Sequence, residues 1–287
     1  MTARLAATIA LLFTTTASAD PAAWRIEGPA GGTLTLLGSM HYLRDRDHPL
    51  PDLVDRLYAA ADRVVMELDL DDIDPVELQG GFLAAATLPA SEHLTDVLPQ
   101  PLYAQARERA AALGIDLSLL DRFEPWFVAV TLLDAGMARL GYRADRGVEQ
   151  YLLGLAARDG KQVTGLETIA AQISVFDRLS RQDQSALLEQ TIDELDSAEA
   201  VMGAMVSAWR EGKLAALADS LMADFNGFPD LYASLVVDRN AHWAEALKMM
   251  LAERQDTLVV VGALHLVGAN NLIGMLEASG YEAVPAD

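Results

Sequence analysis

The sequence predicts an α/β protein, a mixed sheet with flanking helices and a large helical insertion. Three observations carry this. Thr257 to Gly262 is an uninterrupted, Val-rich run of strand length near the C-terminus. Arg63 to Leu68 is a second apolar, β-branched run bounded by charge. Between them, from about 75 to 255, apolar residues recur mainly at helical spacing. Strands near both ends around a helical middle describe one α/β layer with an insertion.

Taken in order, Trp24 to Glu27 alternates apolar and polar residues, Gly28 to Gly32 supplies turn chemistry, and Thr33 to Leu37 is β-rich, which together read as a hairpin. Leu50 to Ala61 has helical spacing and leads into the Arg63–Leu68 strand. Leu102 to Leu113 is an Ala-rich helix ended by Gly114, and Pro125 opens an apolar helix over Trp126–Leu140 that stops at Gly141. Trp126, Phe127 and the helix they begin belong to the core or form a lid over the site, with membrane contact a remote alternative. A helix over Gly147–Ala157 precedes a strand-like run, Lys161 to Glu167. Helical spacing returns from Ala170 to about Arg254, broken at Asn226-Gly227-Phe228-Pro229. After the Thr257–Gly262 strand come a helix over about Asn270–Ser279 and a short strand, Tyr281 to Val284.

The first nineteen residues combine Arg4, a short apolar run from Leu5 to Phe13 and Ala17-Ser18-Ala19, the pattern of a cleaved export signal. Residues 20–287 are then a single domain with the insertion at about 75–255, periplasmic or secreted. No apolar stretch of the roughly 20 residues needed to span a bilayer follows, so no stable membrane insertion is expected. Without cysteine there are no disulfides, and stability has to come from a hydrophobic core. Forty-two acidic against 21 basic side chains give a formal net charge of −21. Such a surface repels phosphate backbones, which argues against a nucleic-acid partner.

Two short motifs stand out. Gly38-Ser39-Met40-His41 follows the first long strand and Gly262-Ala263-Leu264-His265 follows the last. Glycine lets the chain turn at a strand end and present the imidazole. Singly, either histidine reads more simply as a structural hydrogen-bonding residue. Glu67 changes the balance: it lies near the end of a very hydrophobic strand, where a carboxylate is costly unless a cation, metal or donor compensates. His41, Glu67 and His265 at three strand ends form a metal face with open positions for water and substrate. Ligands collect at such edges of open α/β sheets.

Those motifs, with Val65-Met66-Glu67-Leu68-Asp69, Asp238-Arg239-Asn240, Gly268-Ala269-Asn270-Asn271 and Gly280-Tyr281-Glu282, resemble the TraB/GumN family, which includes the Tiki metalloproteases. Gly165-Leu166-Glu167-Thr168 with Gln172 resembles its bacterial GumN-type branch. The resemblance implies a fold related to the erythromycin-esterase and ChaN-like group. For the Tiki branch it implies a metal-dependent peptidase acting on a peptide or other small polymer, with manganese or cobalt as the metal and zinc a third candidate. Carried over, His41, Glu67 and His265 become the metal set, and Glu67 is either a ligand or the general base. The family's Arg-Asn pair makes Arg239 and Asn240 catalytic: Arg239 holds a substrate carboxylate or developing oxyanion, and Asn240 donates a hydrogen bond beside it. Without the resemblance, Asp238 and Arg239 read as a helix-start network. Glu167 is expected to orient a ligand or Arg239.

Asp69, Asp71, Asp72 and Asp74 lack the glycine and terminal glutamate of a calcium loop and read as a solvated connection. His48, His93 and His242 read as surface or packing residues. There is no nucleophile elbow, P-loop or Rossmann glycine triplet. The leading expectation is an exported metal-dependent hydrolase. The second is a non-catalytic periplasmic protein that binds haem or a polysaccharide-related ligand, or an accessory protein.

Overall fold

A computed structural model describes residues 20–286 apart from 69–74, 224 and 226. The export-signal reading and the reading of the Asp69–Asp74 cluster lie outside the described residues.

Among the described residues six strands form one mixed sheet: β1 (Ala23–Glu27), β2 (Thr33–Ser39), β3 (Arg63–Leu68), β4 (Val163–Glu167), β5 (Thr257–Gly262) and β6 (Ala283–Pro285), in spatial order β4-β3-β5-β2-β1-β6. The expected hairpin is β1 and β2, paired antiparallel from Ala23 opposite Leu37 to Glu27 opposite Thr33. β2, β5, β3 and β4 are parallel neighbours, and β6 adds antiparallel to β1.

The central strands are continuous apolar runs because both faces are covered, as in parallel sheets generally. Leu37, Val64, Met66, Leu258 and Val260 face one core, together with Leu53, Val54, Leu152 and Trp209. Leu34, Leu36, Val65, Val259 and Val261 face the other, with Trp243, Leu247, Leu272 and Leu276. Every residue of β5 is buried. A third core joins the helices Gln100–Ala112, Pro125–Arg139 and Arg181–Glu194. An aromatic cluster around Trp126 lies against the helices Pro75–Ala86 and Ile169–Asp177.

The strand-like run expected at Lys161 to Glu167 is β4, which joins the sheet beside β3 and divides the helical stretch between about 75 and 255. At Pro229 a new short helix starts; a π-helical turn over Ala233–Val237 follows and leads into the helix Asp238–Leu251.

Parallel register sets the site. Ser39 lies opposite Gly262, Met66 opposite Val260, and Leu68 opposite Glu167. The C-terminal ends of β2, β3, β4 and β5 therefore share one sheet edge, and that edge receives His41, Glu67, Glu167 and His265.

Candidate functional site

Glu67 is the centre of the site. It is 7% exposed, one residue before the end of β3. Its Oε1 accepts the Gly262 N–H at 2.7 Å, and its Oε2 accepts from the Arg239 guanidinium. Gln172 Nε2 reaches Oε2 at 3.5 Å. Burial pushes the Glu67 pKa up, but His265, His41, Arg239 and the Gly262 N–H outweigh it and hold the carboxyl at about 2.

The two histidines approach the same oxygen. His41 Nε2 lies 3.9 Å and His265 Nε2 3.8 Å from Glu67 Oε1. Gly262 makes that convergence possible. A Cβ there would crowd His41 Nε2 at 3.1 Å and Glu67 Oε1 at 3.3 Å, so that those groups would have to shift by a few tenths of an ångström, and would touch His265 Cδ2 at an ordinary 3.7 Å.

The environments of the histidines are opposite. His265 is buried, in a short 3-10 turn after β5. Its Nδ1 pairs with Asn240 Oδ1 at 2.8 Å; an amide oxygen only accepts, so Nδ1 carries the proton and Nε2 the lone pair. Burial lowers its pKa to about 4, more than Glu67 raises it, so the ring is neutral at pH 7. His41 has a side chain 54% exposed, and its Nδ1 lies 2.8 Å from Glu149 Oε1. The Glu149 carboxylate raises its pKa to about 9 against the opposing effect of burial.

Glu149 is a site residue that the sequence did not reveal. It stands in the first turn of the helix Val148–Asp159, where the helix N-terminus favours a carboxylate. Leu43 and Arg143 exchange backbone hydrogen bonds, and Val148 N–H donates to the Met40 carbonyl. Gly147 abuts His41, since a Cβ on it would meet the His41 carbonyl oxygen at 2.3 Å. Ser39, within the first motif, donates its hydroxyl to the same Glu149 oxygen that holds His41. A lone glutamate early in an amphipathic helix carries no sequence signal of this role; only the pairing of residues 40–43 with 143–148 creates it.

Arg239 and Asn240 are at the site, with their donors already committed. Arg239 Nε and Nη2 bond Glu167, Nη2 also bonds Glu67, and Nη1 donates to the Leu235 carbonyl and to His265 Nε2 at 3.2 Å. That uses all five guanidinium N–H groups on the protein and leaves none for an oxyanion in this arrangement. The guanidinium also lies 4.5 Å from the Trp243 ring centre. Asn240, fully buried, orients His265 through Oδ1 and donates through Nδ2 to the Asn270 and His265 carbonyls. Glu167 ends β4 and binds Arg239; Thr168 then caps the helix Ile169–Asp177. Of the remaining histidines, His48 contacts the Arg146 carbonyl, His93 pairs with Asp121, and His242 is exposed.

Three carboxylates thus face two cations at neutral pH, with only His41 substantially open to solvent among these residues. The donor types suit a divalent ion. Their present arrangement does not: among the described residues no three His, Asp or Glu side chains are grouped so as to hold a metal. Arg239 Nη1 stands 3.2 Å from His265 Nε2, an atom a cation would need, and Nη2 holds the other Glu67 oxygen, Oε2.

The model of the TraB/PrgY/gumN family matches residues 22–285. Among curated proteins, YbaP of Escherichia coli K12, itself uncharacterised, is 29% identical over 86% of this chain and 89% of its own. An uncharacterised protein of Treponema pallidum is 24% identical over 88% of this chain and 79% of its own. A protein of Amphimedon queenslandica named as a metalloprotease TIKI homolog is 24% identical over 90% of this chain and 60% of its own. No solved structure matches.

Proposed function

Because the chain belongs to the TraB/PrgY/gumN family, we propose that it is a hydrolase working at the strand-end site, with a peptide or other short polymer as its substrate. The observation that carries this reading is the solvent-open His41 held through Nδ1 by the buried-side carboxylate of Glu149. A carboxylate that fixes one ring nitrogen leaves the other to move a proton, which is the arrangement of a general base oriented by a third group. His41 takes the proton of an attacking water at Nε2. Glu149 and Ser39 hold the ring, while Glu67, Arg239, Glu167 and Asn240 fix the charge and shape of the floor. The likeness to a protein named as a metalloprotease supports hydrolysis as the reaction class.

A cation-assisted form of the proposal, with manganese, cobalt or zinc on His41, Glu67 and His265, is favoured by Glu67 Oε1 lying within 4 Å of both Nε2 atoms. A bound cation would supply a water of lowered pKa and polarise the scissile carbonyl. It requires Arg239 to withdraw from His265, so we make it second. The kinship of the fold with the erythromycin-esterase and ChaN-like group, and export to the periplasm, belong to the same proposal and rest on the paired motifs and the N-terminal sequence.

The test is peptide turnover by the purified chain and by its His41→Ala variant, each with chelator and with each of the three metals. Turnover that falls at least a hundredfold in the variant is expected, in the range typical of a lost acid–base group. Chelator-insensitive turnover selects the metal-free form. Tight retention of a ligand such as haem without any turnover would instead favour a binding protein.

A further inference from the structure

We propose that the helix Ile169–Asp177 presents an apolar wall beside the reacting centre and that this wall selects substrates carrying a bulky apolar side chain. The inference rests on the hydrolase reading and names its substrate class: a peptide with Phe, Leu or a similar residue next to the bond cleaved.

The wall begins at the site. β4 ends in Glu167, Thr168 caps the next helix, and on that helix Gln172 reaches Glu67 Oε2 at 3.5 Å. Ile169, Gln172 and Phe176 are spaced three and four apart and lie on one helix face. The face that touches the central carboxylate therefore continues as Ile169 and Phe176. Both are only partly buried, as are Phe82 and Phe127 of the same cluster, whose buried members are Ala86, Trp126 and Ile173. Phe176 stacks on Trp126 at 5.6 Å with 20° between the planes, and Phe82 meets Trp126 edge-on at 5.5 Å and 88°. Trp126 is fully buried within this cluster. An apolar side chain docked here would extend an aromatic series already formed and cover surface that the fold leaves open.

The test uses acetylated, amidated pentapeptides identical except for a central Phe, Leu, Ala or Asp. Binding is measured on the His41→Ala chain, which separates it from turnover, with Trp126 fluorescence as readout and Trp126→Phe as the control for the other tryptophans. The Phe and Leu peptides should bind about tenfold or more tightly than the Ala and Asp peptides, the size of discrimination that a modest apolar pocket gives. Phe176→Ala should remove that preference, bringing the Phe and Leu peptides to the level of the Ala peptide; if that variant does not fold, Ile169→Ala serves. Equal binding of all four peptides, or a preference untouched by the wall variants, overturns the inference. Preferential binding without cleavage by the unmodified chain keeps this inference and removes the hydrolase reading. Cleavage without preference does the reverse.

Discussion

At the residue scale, the site works through two histidines driven to opposite protonation states by their neighbours. Glu149 raises the His41 pKa to about 9, so at neutral pH the base form is a small fraction. If His41 is the general base, the rate should climb roughly tenfold per pH unit and level off above about 9. Glu149→Gln removes the charge that holds the proton; the plateau should then begin near the ordinary histidine range, and an NMR titration of His41 should move with it. A rate profile that does not shift when Glu149 is neutralised would sink the pairing as a functional feature. The same pKa values shape stability. His265 is held at about 4 in the fold against 6.5 when unperturbed, so its contribution is complete above about 6.5 and is lost as pH falls through 4. Glu67, held at about 2, loses its contribution from 4.5 downwards, in the same direction. His41 has the opposite sign: its contribution is complete below 6.5 and is lost as pH rises through about 9. Denaturant midpoints against pH should therefore peak near 6.5, and the acid loss from His265 alone is about 3 kcal/mol. In His265→Asn the fall between pH 6.5 and 4 should be smaller by about that amount.

At the element scale, Arg239 is the joint between β3, β4 and the helix Asp238–Leu251, because one guanidinium bonds Glu67 and Glu167 at two strand ends. The Leu235 carbonyl, in the π-helical turn just before it, accepts from Nη1 at 3.0 Å. Arg239→Met would remove the cation that bonds both Glu67 and Glu167, a loss of about 3–5 kcal/mol. For a domain of this size that lowers the melting temperature by roughly 10 °C. A change of a degree or less would show the network to be energetically idle. What the sequence made legible follows from the same elements. β2, β3 and β5 are apolar runs that bury both faces, so their positions could be read directly, and with them His41, Glu67 and His265 at their ends. A pairing of Glu167 with Arg239 was among the expectations, but the further commitment of Arg239 to Glu67 and His265, and of Asn240 to His265 and Asn270, could not be read, because it depends on how the helix Asp238–Leu251 lies against the strand ends. Glu149 was illegible for the same reason: it meets His41 only after residues 143–148 close against 40–43, contacts without any periodic pattern.

At the scale of the whole molecule, the formal charge of −21 surrounds a site that itself holds three carboxylates against two cations. Long-range repulsion acts on the approach of a charged substrate, whereas the buried Glu67–Arg239 contacts are screened little by salt. The two can be separated with peptides that share the cleaved sequence and differ only in distant charged residues. Between about 10 and 150 mM salt the Debye length falls from roughly 30 to 8 Å. Over that range kcat/KM should rise several-fold for a peptide with two negative charges, fall by a similar factor for one with two positive charges, and stay level for a neutral one. The effect should lie in kcat/KM and leave kcat unchanged, because salt weakens the encounter field and leaves the floor of the site intact. Equal salt responses for all three peptides would mean that the acidic surface turns its field away from the strand-end edge, and that selection of substrate charge begins only at the site.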